Sequence, residues 1–387
     1  MIAPPHSPPA LAVPTRVAAP VFNRQRPPAS PGLGAVLTTS DGGQIYGFDV
    51  DQNGTDGVLA SAQTISPNGE LLVSMQTFDQ NTGKITKTFK RYKGLVNSYG
   101  VVGIYAGDVG LVTHYVTPKG SIYAKREYDV MNPVTAGRFT GTWTPPITDL
   151  NIQGAPENQA TNTAVIFAIE LEHGDAPVVF SSNIAANTFS KPIALDPSIF
   201  GYCTLPQVGQ YFAGNDAIFA LSPDCGTVGG DPPLNVVVNL KTGKSVSFNG
   251  YNNGEFHAGD VNGLAVDPNT GIGATTTELN AQVEFYNYAT QEPVSFVQLP
   301  CTSNTDQTNS GSGIAVDPVN KLFLVTQTYS ACAAGSALSV YDETGKLVET
   351  IPGFNFAIGE PPPAINPNTR TGWAFGPTFS QLQQFFY

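Results

Sequence analysis

Charge is what this sequence has least of. Only 12% of its 387 residues are Asp, Glu, Lys or Arg, about half the usual share for a globular protein. The basic side is the scarcer, 18 residues against 30 acids, for a net charge of −12. That balance argues against nucleic acid, which needs a basic face to displace counterions from phosphates. The sequence offers no apolar run of about 18 residues, so no transmembrane segment is expected. Periodic blocks of good helix formers are missing as well, while Gly (40) and Pro (32) abound, so little helix is expected. No Gly-rich phosphate loop precedes a helix, which argues against nucleotides. Serine hydrolase chemistry lacks its Gly-x-Ser-x-Gly elbow, and only His6, His114, His173 and His257 could serve as a base.

Cysteine is sparse but even in number. Cys203, Cys225, Cys301 and Cys332 show no Cys-x-x-Cys spacing, so two disulfides fit better than a metal or redox motif. The pairs Cys203–Cys225 and Cys301–Cys332 would each close a local loop, and three pairings in all are open. With little Lys and much Thr, Asn and Gly, the composition fits a secreted protein, extracellular or at the cell surface. No apolar signal core follows Met1.

Two regions differ in kind. Residues 1–32 hold nine prolines, Arg16, Arg24 and Arg26, and no acid. Proline at this density neither continues a helix nor donates ladder hydrogen bonds, so an extended, polyproline-like arm is expected. The arm carries +3 and leaves −15 on residues 33–387. That body reads as short alternating strands, among them Ala35–Thr39, Gln44–Val50, Glu70–Thr77, Gly271–Thr277, Gln282–Tyr288 and Lys321–Thr328.

A repeat underlies the strands. Thr82-Gly83-Lys84 recurs as Thr242-Gly243-Lys244 and Thr344-Gly345-Lys346, with weaker turn signals between them at Thr135-Ala136-Gly137, Asn187-Thr188 and Ala289-Thr290. A second marker, Asp or Asn before Pro, falls at Asp267-Pro268, Asp317-Pro318 and Asn366-Pro367. Both markers share a period of about 50 residues with about four strands in each, the signature of a β-propeller. The expectation is an all-β ring of seven blades of four antiparallel strands, with six or eight also compatible. The last period is short, so strands from Ala35–Val50 are expected to complete the C-terminal blade and remove open edges.

Asn262-Gly263-Leu264-Ala265-Val266-Asp267-Pro268 and Gly313-Ile314-Ala315-Val316-Asp317-Pro318 resemble the repeat of the NHL, YVTN and SMP-30/gluconolactonase-like propellers. The resemblance is clearest over residues 255–370. It implies the fold and leaves function open, since such propellers include lactonases, lyases and binding or surface proteins.

Two motifs could carry chemistry. In Asp49-Val50-Asp51-Gln52-Asn53-Gly54-Thr55-Asp56, oxygen donors at positions 1, 3 and 5 with Gly at 6 suit a tight Ca2+ loop. Ala60 stands where a bidentate Glu is expected, so Asp56 would have to substitute; the alternative is a polar Asn-Gly hairpin. The second motif is Glu255-Phe256-His257-Ala258-Gly259-Asp260-Val261-Asn262. Asp260 beside His257 could form a general base, with Glu255, Asn262, Glu278 and Glu360 as channel ligands. The plainer reading is that these groups cap backbone and line a wet channel.

The sequence as a whole reads as a secreted, non-catalytic propeller, a structural or interaction protein that assembles with its own copies through the arm. The alternative is a Ca2+-dependent lactonase- or lyase-like enzyme with its site at the channel.

Overall fold

Val283 and Phe285 join one buried cluster, with Phe323, Val325 and Tyr341, while Tyr286 and Tyr288 join another, with Val237, Leu264 and Val266. Successive side chains of a strand point to opposite faces, so a strand that is apolar on both needs a sheet against each side. This requirement recurs along the chain and stacks its sheets face to face. The computed structural model describes residues 30–52, 54–65, 67, 71–94, 104–106, 109–116, 125–131, 139–143, 150–154, 157–158, 163–170, 176–183, 188–195, 205–212, 218–224, 234–240, 242–249, 261–277, 282–299, 311–327, 336–354 and 362–387.

Among the described residues there are seven sheets and no helix. After β1 (Gly32–Thr38), the first sheet runs β2 (Gln44–Val50), β3 (Asp56–Thr64), β4 (Leu71–Asp79) and β5 (Ile85–Gly94). The second holds β6 (Ile104–Ala106), β7 (Val109–Val116), β8 (Lys125–Met131) and β9 (Phe139–Trp143). In the third, β10 (Leu150–Gly154) and β11 (Glu157–Asn158) both pair with β12 (Thr163–Glu170). On its other side, β13 (Ala176–Asn183) pairs with both β14 (Thr188–Phe189) and β15 (Ile193–Ala194). The fourth is β16 (Leu205–Phe212), β17 (Ile218–Asp224), β18 (Leu234–Asn239) and β19 (Ser245–Asn249). The fifth is β20 (Val261–Val266), β21 (Ile272–Thr277), β22 (Gln282–Asn287) and β23 (Glu292–Gln298). The sixth is β24 (Gly311–Asp317), β25 (Leu322–Gln327), β26 (Ser336–Asp342) and β27 (Leu347–Phe354). The seventh is β28 (Ala364–Asn366), β29 (Thr371–Phe375) and β30 (Gln381–Phe386), completed by β1.

Each of these ladders is antiparallel, and the first strands of neighbouring sheets touch: β10 with β16, β16 with β20, β20 with β24, β24 with β28, and β28 with β2. First strands are therefore inner and fourth strands outer. Of the segment Ala35–Val50, only β1 joins the C-terminal sheet; Gln44–Val50 is the inner strand of the first. The pairing Leu37↔Leu382 and Thr38↔Gln381 places β1 along the free edge of β30.

The core lies between sheets. Ile45, Leu59 and Phe78 meet Leu37, Trp373, Phe375 and Leu382 where the first sheet faces the seventh. There Phe78 and Trp373 pack edge to face at 5.3 Å. The C-terminal aromatics continue the pattern, with Phe385 and Tyr387 buried against Phe354 and Ile351 of the sixth sheet. Burying a side chain of this size contributes about 2–3 kcal/mol.

Candidate functional site

The two repeat markers occupy fixed places. Thr82-Gly83-Lys84, Thr242-Gly243-Lys244 and Thr344-Gly345-Lys346 each turn the third strand of a sheet into the fourth. Their glycines sit at φ of 67°, 71° and 80°, which an L side chain adopts only with strain. Each turn is headed by a short polar side chain that accepts from backbone ahead of it. Asp79 takes the Asn81 and Thr82 amides, Asn239 takes Thr242, and Asp342 takes Thr344 and Lys346. The Asp/Asn-Pro marker lies on the same end of the ring, where the first strand turns into the second.

These second turns do more than reverse the chain: their heads reach the next sheet. Asp317 is buried and accepts from the Val319 and Asn320 amides at 2.9 and 2.8 Å, from Asn320 Nδ2 at 2.7 Å, and from the Tyr387 hydroxyl at 3.1 Å. Burial and the Asp317 carboxylate together push the Tyr387 phenol well above its ordinary value. Asn366, also buried, donates onward to the first sheet, to the Asp51 carbonyl at 3.0 Å and the Gly54 carbonyl at 3.4 Å. Asp267 faces the sixth sheet, where Glu343 accepts from the Thr270 hydroxyl at 2.5 Å. From the fifth sheet round to the first, this end is thus stitched sheet to sheet by the turns.

The Ca2+ candidate is part of that stitching. Asp49 is the last residue but one of β2, Asp56 opens β3, and Asp51 lies in the turn between them, while Asn53 falls outside the described residues. Gln80 Nε2 donates to the Asp51 and Asp56 carbonyls at 2.8 and 2.6 Å, and Asn368 Nδ2 to the Gln52 carbonyl at 2.7 Å. Backbone oxygens of the turn are thus held by side-chain amides. Among the described residues, no three His, Cys, Asp or Glu side chains converge as a metal-binding group.

The other candidates fall mostly outside the described residues: Glu255, His257 and Asp260 between β19 and β20, Glu278 after β21, and Glu360 between β27 and β28. Asn262 lies on inner strand β20, described in its backbone alone. Cys203, Cys225, Cys301 and Cys332, and Arg16, Arg24 and Arg26 of the arm, also lie outside. The equivalent outer-to-inner connection in the first sheet, between β1 and β2, is described and carries a polar cluster that no motif announced. Asp41 accepts from the Gly43 amide at 3.0 Å, from Ser61 Oγ at 3.2 Å and from Gln76 Nε2 at 3.3 Å. Gln76 also donates to Ser61 and accepts from the Ser40 amide. Burial acts to raise the Asp41 carboxyl, but the Gly43 amide and the Ser74 and Ser61 hydroxyls outweigh it and hold it below its ordinary value. A carboxylate so supplied with donors is a fixed anion that positions a loop, and a poor base.

At the outer rim, exposed apolar side chains recur on the fourth strands of four successive sheets. They are Val246 on β19, Val294 and Phe296 on β23, Leu347 and Val348 on β27, and Leu33 and Val36 on β1. Leu33 also meets the sixth sheet: a Cβ added at Gly353 would lie 3.4 Å from its methyl.

No family model and no curated protein match the sequence. Solved structures do match. The WD40 repeats of RRP9 align with 93% of this chain and 98% of their own, at a TM-score of 0.63 and 11% identity. The β-propeller domain of Cps50 (Swd1) from Myceliophteria thermophila covers 92% of this chain and 100% of its own, at 0.56 and 10%. The Dos1 propeller covers 92% and 95%, at 0.53 and 9%. At such identities the likeness carries the fold alone: the chain is a β-propeller.

Proposed function

We propose that this β-propeller is a non-catalytic extracellular protein that assembles with copies of itself through its N-terminal arm. The observation that carries the reading is where the arm joins the body. Residues 1–32 hold +3 and no acid, against −15 on the remainder, and they lead into β1, the outermost strand of the seventh sheet. A cationic, Pro-rich segment attached at the rim is well placed to meet a neighbouring ring, and extended Pro-rich chain loses little entropy on docking. The apolar side chains on β19, β23, β27 and β1 supply a surface of matching character on the same rim. If docking runs head to tail without closing, the product is a filament or array. The inner strands β20 and β24, which carry the Asn-Gly-Leu-Ala-Val-Asp-Pro and Gly-Ile-Ala-Val-Asp-Pro motifs, support a place among NHL, YVTN and SMP-30-like propellers.

Negative-stain microscopy with light scattering on the full chain and on residues 33–387 tests the reading. Closed oligomers or polymers from the full chain alone are expected. Isolated rings from both would overturn it and turn attention to His257 and Asp260, through a lactone panel and a Ca2+-dependent melting shift.

A further inference from the structure

The three Asp/Asn-Pro turn heads differ in what the next sheet gives them. Asp317 receives a hydroxyl proton from Tyr387, and Asn366 brings its own amide protons. Asp267 meets another carboxyl. It is fully buried, and its Oδ1 accepts the Asn269 amide at 2.7 Å, while its Oδ2 has no donor. The group across the gap is Glu343, on the turn between β26 and β27, whose Oε1 accepts the hydroxyl of Thr270 from the Asp267 turn and whose charge acts on Asp267. With both groups ionised neither can donate, and a buried carboxylate oxygen is left bare, a costly arrangement.

We propose that Asp267 and Glu343 share one proton, and that this O–H···O bond is a pH-dependent clasp between the fifth and sixth sheets. One proton gives Oδ2 its partner and removes the repulsion between two adjacent carboxylates. The surroundings do little to replace it. Lys321 lies 3.9 Å from Glu343 with its side chain mostly in solvent. Asp342, on the turn of Glu343, is engaged with Thr344 and Lys346, and Asp317, on the neighbouring turn from β24 to β25, with Val319, Asn320 and Tyr387. Asn269 Nδ2 is turned to the Pro318 carbonyl. Burial first, then the charge of Glu343 and the bond to it, push the Asp267 carboxyl up to about 6, against the lowering pull of the Asn269 and Thr270 amides.

The sign follows from linkage. An unfolded Asp releases its proton near 3.8, whereas the folded chain keeps it to about 6. Stability from the clasp is therefore full below pH 4, falls as pH rises through that window, and is lost above it.

Denaturant unfolding of the full chain, Asp267→Asn and Glu343→Gln at pH 4.5 and pH 8 tests the proposal. Either amide can place an N–H where the shared proton sits. Each variant is expected to gain on the wild type between pH 4.5 and pH 8, by up to about thirtyfold in the folding constant for a shift from 3.8 to about 6. A wild-type-to-variant difference that is the same at both pH values in both substitutions overturns it. So does a melting rise with Ca2+ at pH 8 that Asp267→Asn abolishes, which would assign the gap to a cation.

Discussion

Asn366 ties the seventh sheet to the first. Its side-chain amide serves two carbonyls of the first sheet from the seventh, so Asn366→Ala should cost about 1–2 kcal/mol by removing both bonds, although Asp51 keeps Gln80 as a donor. The check is a lower urea midpoint at unchanged slope. Gly372 is equally constrained for a different reason: a Cβ there would lie 2.2 Å from the Phe385 ring, its cross-strand partner. Gly372→Ala should therefore destabilise by about 1–3 kcal/mol through overpacking, read from the same unfolding curves. Neither residue was legible for its role. Asn366 was visible as a turn marker, but its acceptors lie 315 and 312 residues away. No local pattern encodes a partner that distant.

Among elements, β1 differs from the rest in being contributed from the opposite end of the chain. It is knit to β30 by backbone pairing and by two glutamines. Gln384 accepts the Ala35 amide at 3.0 Å and donates to the Gln80 carbonyl at 2.7 Å, and Gln383 donates to the Gly34 and Ala35 carbonyls. These side chains satisfy backbone groups where the ladder shifts register between Leu33 and Val36. Removing residues 1–32 should leave the ring folded, whereas removing 1–38 should lower its melting point and promote aggregation. The longer deletion strips buried Leu37 from the core and bares the edge of β30. Circular dichroism melts with light scattering separate the two. The strands themselves were readable, because alternation, Thr-Gly-Lys and Asp/Asn-Pro are local signals fixed by side-chain period and by glycine φ. The need for a completing strand was readable too, from the short last period. That β1 alone fills it depends on β2 being claimed by the inner position of the first sheet.

At the scale of the whole molecule, the separation of charge sets an expectation for assembly. Attraction between a +3 arm and a −15 body is screened over about 10 Å at 0.1 M salt. Sedimentation velocity of the full chain should thus show less association at about 0.5 M than at about 0.05 M salt. Charge reversal of Arg16, Arg24 and Arg26 should reduce association even at low salt. Indifference to both would mean that apolar contact, not charge, joins the rings. His257 and Asp260 were named from their place ahead of β20, the first strand of its sheet; both lie outside the described residues.

The seam between β1 and β30 also has a consequence in time. Gly34 and Gln383, bonded across it, are 349 residues apart, so β1 leaves the ribosome long before the β30 it pairs with. Until β30 emerges, each other sheet can form on its own hairpins, but the seventh cannot be finished and the newborn chain carries an unmatched edge. Loops of this length close late and expose such edges to other chains meanwhile. The slow step in making this protein is thus expected to be the meeting of its two ends.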